Sequence, residues 1–183
     1  MIDRMTRAVQ AKVDLYEEVE HNPGLSSEAL QVVLLVSAAG GIGTLLSGLF
    51  TGRIGQGLIG GIAAVVMGVV MWYLWSFLVL IVGTKMFGGT ADFGEVSRTI
   101  AYASTPNAVK ILSFVPALGG LLNFVAGIWA IVLGVIAVRQ AMDFDTGKAV
   151  ATVIIAFILA LVVISVISLV LLVPLGIGAA IAS

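Results

Sequence analysis

Residues 149–173 read AVATVIIAFILALVVISVISLVLLV, 25 positions without one ionisable side chain. A helix rises about 1.5 Å per residue, so roughly 20 apolar residues cross a ~30 Å hydrocarbon core. This stretch is a membrane span, and it sets the scale for the rest of the chain.

Three more stretches reach that length: residues 29–50, 58–82 and 121–138. A fifth, residues 107–118, is apolar but too short to span alone unless the preceding turn joins it. Pro116 and Gly119-Gly120 separate it from the 121–138 stretch, so 107–138 reads as a hairpin of two helices or as one kinked helix. The basic residues favour the hairpin. With five crossings and the N-terminus inside, Arg4, Arg7, Lys12, Lys85, Arg98, Lys110, Arg139 and Lys148 fall in cytoplasmic segments and only Arg53 falls outside. Four crossings would put Arg139 and Lys148 outside as well. Lys110 is then expected just inside the short third helix, its stem snorkelling to the interface.

The expected fold is an all-α integral membrane protein of the plasma membrane. It has five transmembrane helices, the third short and paired with the fourth as a hairpin, with the N-terminus cytoplasmic and the C-terminus outside. Residues 1–24 form an N-terminal amphipathic helix, and residues 25–183 form the five-helix domain.

Composition agrees. The chain of 183 residues is 60% hydrophobic and 10% charged, with a net charge of −1 and no cysteine. Such a length holds one membrane domain and no separate soluble catalytic domain. The charge gives no clustered basic face for nucleic acid, and disulfides and thiolate metal sites are excluded. The N-terminus does not read as a signal peptide, because mixed charges stand where a basic stub and apolar core would be.

Ile2, Met5, Val9, Val13 and Tyr16 recur at spacings of three and four, one face of a helix over residues 1–20. That helix either lies in the membrane interface or packs on the rest of the protein. Asn22-Pro23-Gly24 ends it. Between Lys85 and Thr105, Asp92 followed by Glu95 suits a helix N-terminus, and Phe93, Val96, Ile100 and Ala103 repeat at helical spacing. A short amphipathic helix on the cytoplasmic surface is expected there, ending before Pro106. Its residues Asp92, Phe93, Glu95, Arg98, Tyr102 and Pro106 are the candidate interaction surface.

Without a hydrophobic drive between helices in lipid, packing depends on close backbone approach. Gly40, Thr44 and Gly48 form a stripe on the first span, and Gly60, Ala64 and Gly68 one on the second, with Gly57 and Gly61 beside it. The expectation is intramolecular packing of these two helices, with homo-oligomer formation as the other use.

Catalytic chemistry finds no footing. His21 is the single histidine, no serine stands beside a base, and no phosphate-binding glycine loop occurs. Asp143 and Asp145 sit two apart in a loop, where solvation and helix capping account for them. No cofactor or metal is expected. The partners expected are the lipid bilayer and other membrane proteins or a second copy. The resulting reading is a non-enzymatic scaffold or adaptor in membrane organisation. The alternative is a passive channel, lipid scramblase or small-solute transporter, working through a groove near Asn123 and the glycine stripes.

Phe87-Gly88-Gly89, Phe93, Tyr102-Ala103-Ser104-Thr105-Pro106, Trp129 and Gly147-Lys148-Ala149 resemble the Yip1 domain family of multispanning membrane proteins. The resemblance extends over about residues 29–173. It implies five spans with a cytoplasmic N-terminus, and for eukaryotic members a role in vesicle traffic with prenylated small GTPases. The family's N-terminal Asp-Leu-Tyr-Gly-Pro element is reduced here to Asp14-Leu15-Tyr16, so the resemblance implies an architecture more than a GTPase partner.

Overall fold

The computed structural model describes the backbone of residues 1–182 and the side chains through Val170. The side chains at the far end of the 149–173 stretch, and Ser183 with the expected exterior C-terminus, lie outside the described residues. Among the described residues seven α-helices run in the order α1 (Ile2–Val9), α2 (Val13–Glu20), α3 (Ser26–Phe50), α4 (Ile54–Phe87), α5 (Phe93–Ala103), α6 (Leu118–Ala141) and α7 (Thr146–Ala182). Short 3-10 segments occupy Pro23–Leu25 and Thr105–Leu112, and there is no strand among the described residues. Among the described residues four helical stretches are long and apolar enough to cross a membrane: Pro23–Phe50, Ile54–Phe87, Leu118–Ala141 and Thr146–Val170.

The α3–α4 hairpin depends on missing side chains. A Cβ on Gly48 would lie 2.6 Å from the Gly57 Cα, and one on Gly41 would lie 2.6 Å from the Gly61 carbonyl oxygen. Such separations allow only backbone against backbone, so dispersion contacts run the length of the pair. The turn between the helices puts Gly52 at φ +71°, a conformation that costs a residue with a Cβ. Gly88 closes the other end of α4 at φ +74°, and the Gly89 amide donates to the Gly83 carbonyl at 3.0 Å.

Beyond that cap, Gly83 and Gly89 leave room for the buried side chain of Met142, and Phe87 meets Phe144 edge-on at 6.3 Å. The end of α4 thereby docks on the α6–α7 turn. Large apolar side chains on α4, α6 and α7, such as Ile59, Phe77, Phe124 and Phe157, point outward. In a soluble protein such a surface would aggregate; on membrane-length helices it faces lipid.

The N-terminal residues form two helices rather than one. Ala11, at φ +57°, breaks the helix after Gln10, and the apolar face changes with it. Met5 and Ala8 are buried from α1, and Leu15, Tyr16 and Val19 from α2, whereas Ile2 is 71% exposed. Both helices contribute to the same hydrophobic core as the long helices.

Residues 107–118 contain no α-helix of their own; the 3-10 segment Thr105–Leu112 and a turn lead into α6. That segment lies against the second half of α3. The Lys110 stem packs on Gly40, and a Cβ on Gly43 would collide with the Lys110 carbonyl. Further along, the Phe114 ring stacks on Phe50 at 5.5 Å, and Gly119 is pressed against Leu112 and Ser113. Lys110 thus sits beside the middle of α3, deeper than the interfacial place expected from its charge. Glycines there open a groove wide enough for a second backbone.

Candidate functional site

Nearly all the charged groups gather at one end of the bundle, around α5. Its start is a capping box. The Asp92 carboxylate accepts from the Glu95 amide at 2.8 Å, and the Glu95 carboxylate accepts from the Asp92 amide at 2.7 Å. Two backbone donors that the helix leaves over are satisfied, and the negative charge meets the positive end of the helix dipole. The expected helix is there, and its boundary falls where Asp92 and Glu95 put it.

Its environment is less open than an amphipathic surface helix would have. Every residue from Val96 to Ala103 is buried, including Arg98 at 4% exposure. Arg98 Nε donates to the Val19 carbonyl at 2.9 Å, Nη2 donates to the Glu20 carbonyl, and Nη1 donates to Ser26 Oγ at 3.3 Å. The guanidinium therefore caps the C-terminal end of α2, where unpaired carbonyls concentrate partial negative charge. Tyr102 donates its hydroxyl to Glu28 Oε1 at 2.6 Å in the first turn of α3. Trp72 Nε1 donates to the Ser97 carbonyl at 2.9 Å, tying α4 in, and Tyr73 stacks on Phe93 at 5.9 Å.

The end of α5 is written by the residues after Tyr102. Ser104 Oγ donates to the Ala101 carbonyl and Thr105 Oγ1 to the Tyr102 carbonyl, each at 2.6 Å, and the buried Pro106 opens the 3-10 segment. Hydroxyls take over carbonyls that a longer helix would have bonded, so the chain can turn down along α3.

An outer ring of ion pairs fixes α1 and α2. Arg4 donates to Glu18 at 2.7 Å and to Glu28 at 3.1 Å, while Arg7 donates to Glu18 and Asp14, both at 2.7 Å. Hydrogen bonds from Arg4 and Arg7 hold the Glu18 carboxyl below the usual carboxylate range. Trp129 Nε1 reaches the Val9 carbonyl at 2.8 Å, and Gln140 Nε2 reaches Glu17 at 3.0 Å, so α6 is held as well. Tyr16 is buried against Ala103, Leu133 and Ala137, its hydroxyl has no hydrogen-bond partner among the described residues, and burial raises its pKa.

Of the expected surface residues, Asp92 is exposed, Phe93 and Glu95 are half-buried, and Arg98, Tyr102 and Pro106 are internal. Of the stripe residues, Gly48 faces Gly57, Gly60 faces Thr44, and Gly68 faces Ser37. Gly40 faces Lys110 instead of α4, and its neighbour Gly41 makes the close approach to Gly61. Ala64 is half-buried.

Two cavities among the described residues lie near these elements. One of 380 Å³ is lined by Glu17, Glu20, His21, Arg139, Gln140, Asp143 and Phe144. The other, 470 Å³ and apolar, lies between α4, α5, α6 and α7, with Trp75, Ile100, Gly134, Ile154 and Phe157 among its walls. No group of acidic or histidine side chains capable of holding a metal occurs among the described residues.

No curated protein and no solved structure matches the chain. The family model for the Yip1 domain matches residues 11–167, from just before α2 to well inside α7. The matched region contains the capped α5, the Arg98 and Tyr102 anchors, three of the membrane-length helices whole and most of the fourth span, and the chain is a membrane protein belonging to the Yip1 domain family.

Proposed function

We propose that this protein is a non-enzymatic scaffold or adaptor of the plasma membrane, presenting a rigid cytoplasmic cap to other membrane proteins. The observation that carries the reading is where the charges go. All ten acidic residues and seven of the nine basic ones belong to α1, α2, α5 or the helix ends that meet them. The best-placed of them, Arg98, Glu18 and Glu28, are taken up in hydrogen bonds between elements. Groups committed to holding helices together are not free for proton transfer, but they do make a stiff platform.

The same distribution supports five crossings, with residues 105–117 as the third. Arg53 is the basic residue at the opposite end, beside the Phe50–Phe114 stack, and Lys110 lies between. The chain leaves α5 at the charged end and enters α6 near Phe50, so this segment passes from one end to the other. Non-helical backbone at membrane depth is tolerated where protein covers it, and this segment packs against α3 and α6 while residues 110–113 and 116–118 stay exposed on their other side. The positive-inside rule makes the charged end cytoplasmic.

With Arg98 and Tyr102 internal, the accessible face is Asp92, Phe93 and Glu95. Substituting Asp92→Asn together with Glu95→Gln keeps both capping hydrogen bonds while removing two charges. Purification in mild detergent is expected to recover partners with the wild type and to lose them with this double variant. Identical partners from both would refute the role of this face.

The 470 Å³ apolar groove supports a second reading, lipid handling, since pockets of about 300–1,000 Å³ accommodate small ligands. Reconstituted vesicles would then flip labelled lipid, and flat traces would remove this reading.

A further inference from the structure

The 380 Å³ cavity at the charged end has a feature the scaffold role does not use. Glu20 forms part of its wall and is 6% exposed, yet among the described residues its carboxylate has no hydrogen bond and no ion pair. With no protein partner recorded, the carboxylate oxygens are left to face the cavity, so an occupant that supplies hydrogen-bond donors and positive charge would be favoured there. Glu17 and Asp143 line the same space and add negative charge. Arg139 lines the cavity as well, and its guanidinium has no ion pair among the described residues. The cavity thus has both carboxylates and a guanidinium among its lining residues.

Its location narrows the occupant. Arg139 and Gln140 are in the last turn of α6, and Asp143 and Phe144 form the turn to α7, where both apolar spans end. In a bilayer that is the depth of the polar headgroups. A phosphodiester joined by two carbons to a primary ammonium matches both charges: phosphate toward Arg139, ammonium toward Glu20 with Glu17 and Asp143. We propose that this cavity binds the headgroup of phosphatidylethanolamine from the surrounding leaflet, with Glu20 as the ammonium acceptor and Arg139 as the phosphate donor.

The chemistry sets the selectivity. A primary ammonium donates three hydrogen bonds, whereas the trimethylammonium of phosphatidylcholine donates none, and phosphatidylglycerol brings no cation. It also sets the pH dependence. Burial raises the Glu20 pKa to about 7, opposed by His21 and reinforced by Asp143, Glu95 and Glu17. Arg98 on α5, which donates to the Glu20 carbonyl, Arg139 on α6 and Lys148, placed over Phe144 on α7, are the cations near it. An ammonium stabilises the ionised carboxylate, so binding is present above pH 7 and fades as Glu20 becomes protonated below it.

The test uses the full chain, delipidated in a mild non-ionic detergent, with short-chain phosphatidylethanolamine, phosphatidylcholine and phosphatidylglycerol, free phosphoethanolamine and trilysine as probes. Native mass spectrometry at pH 8 is expected to show phosphatidylethanolamine bound in preference to all the others. Glu20→Gln and Arg139→Gln are each expected to weaken it by at least about tenfold, the loss of one charge-assisted hydrogen bond. Lys12→Gln, away from the cavity, should leave it unchanged. Arg139 is exposed, so its variant is read on a folded protein even if Glu20→Gln were unstable. Equal retention of the three lipids, free phosphoethanolamine binding as tightly as the lipid, trilysine binding in place of lipid, or unaltered affinity in both variants would each overturn the proposal.

Discussion

Replacing Arg98 with methionine is expected to release α2 from α5 and expose the whole N-terminal region to protease. Methionine fills much of the same volume but makes none of the three hydrogen bonds, to the Val19 and Glu20 carbonyls and Ser26 Oγ. Two carbonyls at the end of α2 would remain buried and unpaired, at about 1–3 kcal/mol each. The long helices do not depend on these bonds, so the loss stays local. Trypsin at low ratio should cut the variant at Lys12 at least tenfold faster than wild type, while circular dichroism changes little. Lysine at the same position reaches one carbonyl at best, since it lacks the planar fork, and should recover only part of the protection. Equal cleavage in wild type and Arg98→Met would remove Arg98 as the anchor.

The second large effect is expected at Gly48. A Cβ there would lie 2.6 Å from the Gly57 Cα and 3.0 Å from the Arg53 carbonyl oxygen, both backbone atoms that cannot rotate away. Gly48→Leu must push α3 and α4 apart near their turn, losing dispersion contacts along both helices. Since lipid offers no hydrophobic force to draw them back, the destabilisation should reach about 3 kcal/mol or more. Gly127 in α6 is the control, because a Cβ there meets nothing within 4 Å. Gly127→Ala should be neutral or stabilising by up to about 1 kcal/mol through helix propensity. Denaturation midpoints in mixed detergent–SDS micelles would separate the two, and equal midpoints would contradict the proposed packing.

The contrast between these glycines shows where sequence reading reaches its limit. Spacing alone puts Gly40, Thr44 and Gly48 on one stripe, but both flanks of α3 carry glycine. One flank receives α4 through Gly41 and Gly48, and the other receives the 3-10 segment through Gly40 and Gly43. Spacing cannot say which neighbour takes which flank. Lys110 is misplaced for the same reason: charge favours an interfacial position, while the groove that carries its backbone deeper comes from glycines far earlier in the chain. The break at Ala11 has no glycine or proline to announce it, and the periodicity of residues 1–20 carries straight across.

What the chain does announce are local devices. Asp92 and Glu95 mark the start of α5, Gly88 the end of α4, and Tyr102 to Pro106 the end of α5, because each is satisfied within a few residues. Arg98 is the opposite case. On an amphipathic helix it reads as solvent-facing, and its acceptors lie 79 and 78 positions away. The cavity at Glu20 is equally invisible in sequence, since α2, α6 and the α6–α7 turn contribute its walls.

The lack of cysteine allows the layout to be read one position at a time. Single cysteines at Lys12, Arg53, Pro116 and Lys148, all exposed, can be challenged in intact cells with a membrane-impermeant maleimide. If residues 105–117 carry the chain across, positions 53 and 116 label from outside, and positions 12 and 148 label only after permeabilisation. Labelling of position 148 alongside 53 in intact cells, with 116 protected, would contradict that crossing.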